Sequence, residues 1–262
     1  MSPQRLGQHF LKDPAWRERI LRALPIAPDD LWLEIGAGHG EMTRELARHA
    51  GRVAAIEVDG KLLPGLERLA GELGNVTIVP GDVLALDLGQ ITGGAAFHVY
   101  GSLPYYITSP ILQRLFEHAE RVRSISVVVQ LEVAVRMTAR PGRRDYGYLS
   151  VVTQFHTQPE IALRLPPGAF QPRPKVASAL VRMTLPGQRA ELGVDDAAAF
   201  LQFVGHCFAQ KRKTLLNNLR GHFPVARIES ALTAVRLTPR ARAEELSLPV
   251  FASLFHVLGY SR

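Results

Sequence analysis

The stretch Gly101-Ser102-Leu103-Pro104-Tyr105-Tyr106 combines a hydroxyl group, a rigid proline and aromatic rings. The Ser102 side-chain oxygen and the Leu103 carbonyl oxygen are hydrogen-bond acceptors, and Pro104 fixes the backbone between them and the rings. An amino group on an aromatic base is a poor nucleophile, and acceptors around its N–H groups stabilise the positive charge that develops during attack. Tyr105 could stack on such a base. The stretch therefore indicates chemistry on the amino group of a nucleobase or a related planar amine.

A second group of residues is the glycine-rich stretch Leu33-Glu34-Ile35-Gly36-Ala37-Gly38-His39-Gly40. Glycines at a strand-to-helix turn let the backbone pass close to a ligand, so Gly36 and Gly38 are predicted to lie against a cofactor. The third glycine comes one residue earlier than in the G-x-G-x-x-G pattern of dinucleotide-binding proteins. This spacing, and Glu34 before the glycines, favour a methyl donor over a dinucleotide.

Two acidic residues follow the next two predicted strands. Glu57 is placed to accept hydrogen bonds from the ribose hydroxyls of an adenosine ligand. Asp82 is placed to accept from the adenine amino group, with Val83 beside it. Each acid alone could be an ordinary strand-end or helix-cap residue. Together with the glycine turn they predict a site for S-adenosylmethionine at the carboxyl ends of three successive strands.

Short apolar runs alternate with amphipathic stretches over the first two thirds of the chain. Helix-like spacing occupies residues 41–50, 61–73 and 109–118. The predicted buried strands are 31–35, 53–57, 76–79, 97–100 and 125–130. Two further β-rich runs, 149–155 and 179–184, are expected to complete the sheet at one edge. The alternation indicates a doubly wound α/β domain, with a mostly parallel sheet covered by helices on both faces.

The pattern changes after residues 185–193, which are polar, contain Gly and Pro, and are typical of a linker. Four helix-like stretches follow without an intervening strand: 200–208, 213–219, 227–234 and 250–258. We therefore predict two domains. Residues 1–185 form the cofactor-binding catalytic domain, which begins with a basic segment (1–13), and residues 193–262 form a small all-helical domain.

The composition limits the class of partner. The 262 residues carry 31 Lys and Arg against 24 Asp and Glu, a net charge of +7 that suits a polyanion such as RNA or DNA. Cys207 is the single cysteine, which excludes an internal disulfide and a thiolate zinc site, and no metal site is predicted. The first residues lack the apolar run of a signal peptide, and no stretch is long enough to span a bilayer, so we expect a cytoplasmic protein without a membrane partner.

Three basic stretches are candidates for contacts with nucleic-acid phosphates. Each alone is typical of a solvated surface, but together they suit a target recognised by its backbone and shape. They comprise the N-terminal cations Arg5, Lys12, Arg17, Arg19 and Arg22, the 136–144 stretch, and Lys211 to Lys213.

Several stretches occur in the order of one family's motifs. Residues 101–106 resemble the Asn/Asp/Ser-x-Pro-aromatic motif of methyltransferases that act on amino groups. The remaining similar stretches are 4–11 (QRLGQHFL), 130–134 (QLEVA), 146–150 (YGYLS), 167–178 (PGAFQPRPKVAS) and 208–215 (FAQKRKTL). Over nearly its whole length the chain resembles the small-subunit (16S) ribosomal RNA adenine N6,N6-dimethyltransferase family, known as KsgA.

This resemblance implies a Rossmann-like class I methyltransferase domain with a C-terminal helical domain that recognises rRNA. It implies that two adjacent adenines near the 3′ end of small-subunit rRNA are each methylated twice, during late subunit assembly, by a protein that we expect to be monomeric. Ser102, Leu103, Pro104 and Tyr105 would form the catalytic corner, and Phe170 would close over the target base opposite Tyr105. The residues that would contact S-adenosylmethionine are His9, Leu11, Gly36, Gly38, Glu57, Asp82, Val83 and Ser102.

Two positions depart from the family pattern. Ser102 stands where the family usually has Asn, so a short hydroxyl replaces an amide of longer reach and leaves the rate of the second methyl transfer open. His9 also stands in place of Asn and adds a titratable group near the cofactor.

Two alternatives remain at this level. The related family that methylates a large-subunit (23S) rRNA adenine and confers macrolide resistance shares the cofactor motifs. A binding factor of the same fold, acting in ribosome assembly or transcription with weak catalysis, would also keep the glycine turn. The Pro-Lys-Val-x-Ser segment within 167–178 and Lys211-Arg212-Lys213 favour the small-subunit family.

Overall fold

The computed structural model describes residues 9–104 and 107–260. The chain divides into two compact units, of which the first comprises Met1–Ala134 and Pro159–Leu185 and the second Val135–Gln158 and Pro186–Arg262. Within the described ranges, no helix combines the length and apolarity that a membrane span requires.

The first unit is built on a mixed β-sheet. In chain order, the strands are β1 (Phe10–Leu11), β2 (Leu31–Ile35), β3 (Arg52–Glu57), β4 (Val76–Pro80), β5 (Phe97–Ser102), β6 (Val122–Gln130), β7 (Gln158–Leu165), β8 (Phe170–Gln171) and β9 (Ser178–Thr184). Among the described residues, seven of them form one sheet in the order β4-β3-β2-β5-β6-β9-β7, and β1 pairs with β8 in a separate ribbon. Strands β2 to β6 pair in parallel, whereas β9 runs antiparallel to β6. The predicted mostly parallel α/β fold is confirmed.

Helices lie before and between the parallel strands. They are α1 (Pro14–Ala23), α2 (Glu41–Ala47), α3 (Leu63–Leu73), α4 (Leu88–Ile91) and α5 (Thr108–Phe116). The five residues of β2 are all buried, as expected for a central strand whose two faces are both covered. The strand order reverses direction at β2, where β3 lies on one side and β5 on the other. Open parallel sheets bind ligands at such a point, outside the carboxyl ends of the strands.

A buried polar cluster joins the amino ends of the central strands. The Nδ1 atom of His98 lies 2.7 Å from the Ser124 hydroxyl, its Nε2 atom lies 3.5 Å from Asp30, and its ring stacks on Trp32 at a centroid distance of 4.9 Å. Burial lowers the pKa of His98, although Asp30 opposes the shift. Because His98 and Ser124 are almost completely buried, the cluster holds β5 against β6 at the amino ends of these strands, opposite the end where the glycine turn lies.

The second unit is helical. After α6 (Leu131–Thr138), which spans the boundary between the units, it contains α7 (Tyr148–His156), α8 (Ala197–Cys207), α9 (Leu215–Leu219), α10 (Val225–Ala234) and α11 (Leu248–Leu258). Its core is rich in aromatic rings, with Phe200 stacked on Phe155 at 5.0 Å and edge-on to Phe255 at 5.5 Å. The Tyr146 hydroxyl donates a hydrogen bond to the Leu246 carbonyl and ties the loop before α7 to this core.

The prediction of a strand over 149–155 was wrong, because this segment lies within helix α7. Val151 and Phe155, four residues apart, share the buried face of α7 and belong to the same core cluster as Phe200. This packing outweighs the β-propensity of the valines. The edge strand is instead β7, and the helical unit extends back to Val135 rather than beginning at residue 193.

The helical unit contains a partly buried histidine, His156, from which we predict how the stability of the protein depends on pH. Burial, with the Arg189 guanidinium as a second cause, lowers the pKa of His156 to about 4. An unfolded histidine titrates near 6.5, so the stability that is present above pH 6.5 is lost as the pH falls towards 4. We expect a loss of up to about 3 kcal/mol, since one pKa unit corresponds to about 1.36 kcal/mol. Thermal unfolding of wild type and His156→Gln between pH 7 and 4 checks this, and equal slopes would contradict it.

Candidate active site

A pocket of about 130 Å³ lies at the carboxyl ends of β2, β3 and β5, within the first unit. Its lining brings together most of the residues predicted from sequence, namely His9, Leu11, Gly36, Gly38, Glu57, Ser102, Leu103, Pro104 and Phe170. The cofactor-type turn and the Ser-Leu-Pro corner therefore open into one space.

The glycine turn leaves β2 in a conformation that side chains disfavour. Gly36 has a φ of +78° and Gly38 a φ of +61°. A Cβ atom on Gly38 would lie 3.0 Å from Cδ1 of Phe10, whereas one on Gly36 would lie 3.7 Å from the Ser102 carbonyl oxygen. Glycine at both positions keeps the pocket floor open beside Ser102.

Glu57 holds this turn in place. Its Oε2 atom accepts a hydrogen bond from the Gly38 amide at 2.8 Å, and its Oε1 atom accepts from the amides of Val58 and Asp59 at 2.9 and 2.8 Å. A carboxylate has about four acceptor positions, so one remains for a ligand hydroxyl. The structure thus gives Glu57 a structural task that the sequence did not indicate, next to the predicted contact with a ribose.

The Ser-Leu-Pro corner continues from the end of β5. The Leu103 amide donates to the Val128 carbonyl at 3.1 Å, which anchors the corner to the neighbouring strand. The Pro104 carbonyl accepts from the Ile107 amide at 3.2 Å and from the Thr108 hydroxyl at 3.2 Å, which joins the corner to the start of α5. Ser102 is half-buried and lines the pocket. The hydrogen bonds of Leu103 and Pro104 hold the backbone on which it lies.

The ribbon of β1 and β8 forms another wall of the pocket. Leu11 pairs with Phe170, and both side chains are buried while lining the pocket. The Nδ1 atom of His9 donates to the Pro172 carbonyl at 2.7 Å. These contacts bring the N-terminal segment and the 167–178 motif, more than 150 residues apart in sequence, to the same site.

Two of the predicted residues that the structure describes do not lie in this lining. Asp82 is exposed and accepts a hydrogen bond from the Leu84 amide at 3.0 Å, and Val83 is buried beside it. Asp82 nevertheless lies near Glu57, because the Gly81 amide donates to the Glu57 carbonyl at 2.9 Å. Tyr105 lies outside the described residues, so its stacking role stays a prediction.

The charges of the pocket favour a cationic ligand. Glu34, Glu41 and Glu57 line it, and among the described lining residues there is no lysine or arginine. A dinucleotide brings a pyrophosphate, for which this acidic lining offers no compensating cation, whereas S-adenosylmethionine carries a sulfonium and an ammonium group. The residues present therefore fit the methyl donor that the glycine spacing favoured.

Several lining residues were not predicted from the sequence as site residues. They are Phe10, Ala37, Glu41, Met42, Val58, Tyr100, Ile107, Val128 and Ser178. Tyr100 could have been found from its register, since it pairs with Glu34 across β2 and β5 and the two side chains share one face of the sheet. The apolar members carry no such signal, because they are typical core residues.

The chain matches the family model described as ribosomal RNA adenine dimethylase over residues 2–259. The ribosomal RNA small subunit methyltransferase A of Acidobacterium capsulatum is 44% identical over 256 residues, which cover 97% of this chain and 90% of that protein. The protein of the same name from Moorella thermoacetica is 40% identical over 264 residues, with 97% and 91% covered.

Solved structures show the same architecture. A dimethyladenosine transferase from Plasmodium falciparum superposes with a TM-score of 0.81 at 24% identity, over 96% of this chain and 99% of that one. The 23S rRNA methyltransferase ErmE superposes with a TM-score of 0.72 at 28% identity, over 95% and 99%. With the family match extending over both units, this chain belongs to the ribosomal RNA adenine dimethylase family.

Proposed function

We propose that the protein transfers methyl groups from S-adenosylmethionine to the N6 amino groups of two adjacent adenines near the 3′ end of small-subunit rRNA. The observation that carries this proposal is that the glycine turn of Gly36 and Gly38 and the Ser102 corner line one and the same pocket. A donor bound on the turn and an adenine amine held at the corner would be neighbours, which favours direct transfer through proximity.

S-adenosylmethionine, when bound, supplies a methyl group activated by a positively charged sulfur. The protein's own residues orient the acceptor. The Ser102 hydroxyl and the Leu103 carbonyl accept hydrogen bonds from the adenine amine and stabilise its developing positive charge. Phe170, in the wall formed by β1 and β8, packs against the base after it has left its helical stack.

The cofactor contacts divide among three elements. The turn after β2 supplies Gly36 and Gly38, the end of β3 supplies Glu57, and the N-terminal segment supplies His9 and Leu11. Asp82 accepts from the Leu84 amide through its Oδ1 atom, so its other carboxylate oxygen can accept from the adenine amino group, with Val83 beside it.

The small subunit is favoured over the large subunit as the source of the substrate. The curated relatives at 38–44% identity are named small-subunit methyltransferases, whereas ErmE, a 23S rRNA enzyme, is 28% identical. Incubating undermethylated small subunits and large subunits separately with tritiated donor tests this choice. We expect label in the small subunit alone, and label confined to the large subunit would overturn the proposal.

We further propose that the helical unit contacts rRNA through two adjacent loops, here named the basic loop surface. The Lys211 ammonium donates to the Arg144 carbonyl at 3.3 Å, so the loops before α7 and α9 lie side by side. The exposed cations of this surface are Arg140, Arg143, Arg144, Lys211, Arg212 and Lys213. Their target is the phosphate backbone of a small-subunit assembly intermediate, bound by a monomer in the cytoplasm.

The basic loop surface predicts a steep dependence of RNA affinity on salt. If about five cations meet phosphates, the logarithm of affinity should fall against the logarithm of salt concentration with a slope of roughly −3.5 to −4.5. Replacing Lys211, Arg212 and Lys213 together by alanine should make the slope shallower by about 2 to 3. The Arg48→Ala control removes a cation that is paired with Glu45 and should leave the slope unchanged. A slope near zero in the wild type would contradict the proposal that the basic loop surface binds RNA phosphates.

A further inference from the structure

The three carboxylates of the pocket differ in what compensates their charge. Glu57 accepts hydrogen bonds from three backbone amides, and Glu41 pairs with the Lys12 ammonium at 2.6 Å. Glu34 is only 2% exposed, and its Oε2 atom has no hydrogen-bond partner among the described residues. One acid at the pocket wall therefore lacks a compensating group on one of its oxygens.

The carboxylates that face Glu34 disfavour its charged form. Glu57 faces it from β3, Glu41 from α2 and the Tyr100 ring from β5, while His9 lines the pocket from the N-terminal segment. Burial raises the pKa of Glu34 to about 8; the Thr43 hydroxyl opposes this shift, and Glu57 and Glu41 add to it. In the ligand-free pocket at neutral pH the carboxyl group thus holds its proton.

We propose that Glu34 is the residue by which the pocket distinguishes the cationic methyl donor from its neutral product. The inference rests on the proposed function. When the sulfonium enters, the O–H bond of the Glu34 carboxyl breaks, the proton passes to solvent and the carboxylate faces the cation. When S-adenosylhomocysteine replaces the donor, the carboxylate takes a proton back.

The placement of Glu34 supports this exchange. It pairs with Tyr100 across the sheet, two residues before Ser102, so the acid lies in the strand beside the corner to which the methyl group must be delivered. Donor and product differ by one methyl group and one positive charge. In a poorly hydrated pocket that charge interacts with a carboxylate more strongly than it would in water. The neutral thioether of the product carries no positive charge that could stabilise the Glu34 carboxylate.

The number of protons released on binding tests the proposal without any turnover. Isothermal titration of the protein with S-adenosylmethionine at pH 7, in phosphate and in Tris buffer, gives this number from the difference in enthalpy. We expect about 0.9 protons, the fraction of a group with a pKa of about 8 that is protonated at pH 7. For S-adenosylhomocysteine we expect less than half of that. Both ligands share the amino acid and adenosine parts, so the difference reports the sulfonium.

Variants test whether the proton that is released on donor binding comes from Glu34. Glu34→Gln keeps the size of the side chain and should release almost no proton with the donor. Glu41→Gln, a matched change at the pocket carboxylate paired with Lys12, should keep the release. The donor affinity of the wild type should rise about ninefold from pH 6 to pH 7 and less than twofold from pH 8 to pH 9. In Glu34→Gln this dependence should be much weaker.

The outcomes separate this inference from the function on which it rests. Donor binding without proton release, or equal release with donor and product, would overturn the role of Glu34 and leave the methyltransferase proposal intact. Release that persists in Glu34→Gln would also overturn it. Failure of the wild type to bind the donor at all would overturn both the role of Glu34 and the proposed function. If Glu34→Gln does not fold, the comparison of donor with product in the wild type decides alone.

Discussion

Ser102→Ala should lower the rate of methyl transfer by about 100-fold while the affinity for S-adenosylmethionine changes little. Removal of one group that stabilises developing charge costs about this much in other enzymes. Ser102 lies at the end of β5 and lines the pocket beside Gly36. Its hydroxyl would contact the adenine amine chiefly as charge develops there. Single-turnover methylation of small subunits, with donor binding measured by calorimetry, separates the two effects.

The matched control is Ser102→Asn, which restores the residue that the family usually has at this position. An amide oxygen is also an acceptor and has a longer reach, so we expect transfer at least as fast as in the wild type, above all for the second methyl group. A wild-type rate in Ser102→Ala would contradict the assignment of this corner to the amine.

Glu57→Ala should weaken donor binding by about 100-fold and also destabilise the protein. The change removes the predicted ribose acceptor and leaves the amides of Gly38, Val58 and Asp59 without their carboxylate partner. The hydrogen bond of the Gly38 amide is buried, and a buried donor that is left unsatisfied costs about 1–3 kcal/mol. Calorimetric titration and thermal unfolding of the same preparation measure both losses.

Asp59→Asn is the control for this prediction. Asp59 is two residues further on, and its carboxylate accepts from the Lys61 amide at 3.1 Å outside the pocket lining. It should bind the donor as the wild type does. If Glu57→Ala lost stability but kept its affinity for the donor, Glu57 would hold the turn without contacting the ribose.

The parts of the fold that the sequence predicted are those with a local signal. Parallel strands whose residues are all or nearly all buried, such as β2 and β3, appear as mostly apolar runs, and glycines mark the turn that follows β2. Helix α7 was missed because Val151 and Val152 suggest a strand, while the packing of Phe155 against Phe200 is visible only in three dimensions. Strand β7 was missed because it is a half-exposed edge strand without a clear alternation.

The candidate site was predictable where a residue type and its position after a strand carry the chemistry, as for Gly36, Glu57 and Ser102. The sequence did not allow us to predict which group pairs with each acidic side chain of the pocket. Lys12 neutralises Glu41 across 29 residues of sequence, whereas Glu34 is left with an uncompensated oxygen. Such differences depend on which side chains reach one another after folding, and they decide the protonation state of the pocket.

A crystal structure of the protein with S-adenosylhomocysteine tests the central claim most directly. We predict the adenosine part against the glycine turn and Glu57, with the sulfur atom directed to the Ser102 corner. A ligand bound elsewhere, or a sulfur atom directed away from Ser102, would contradict it.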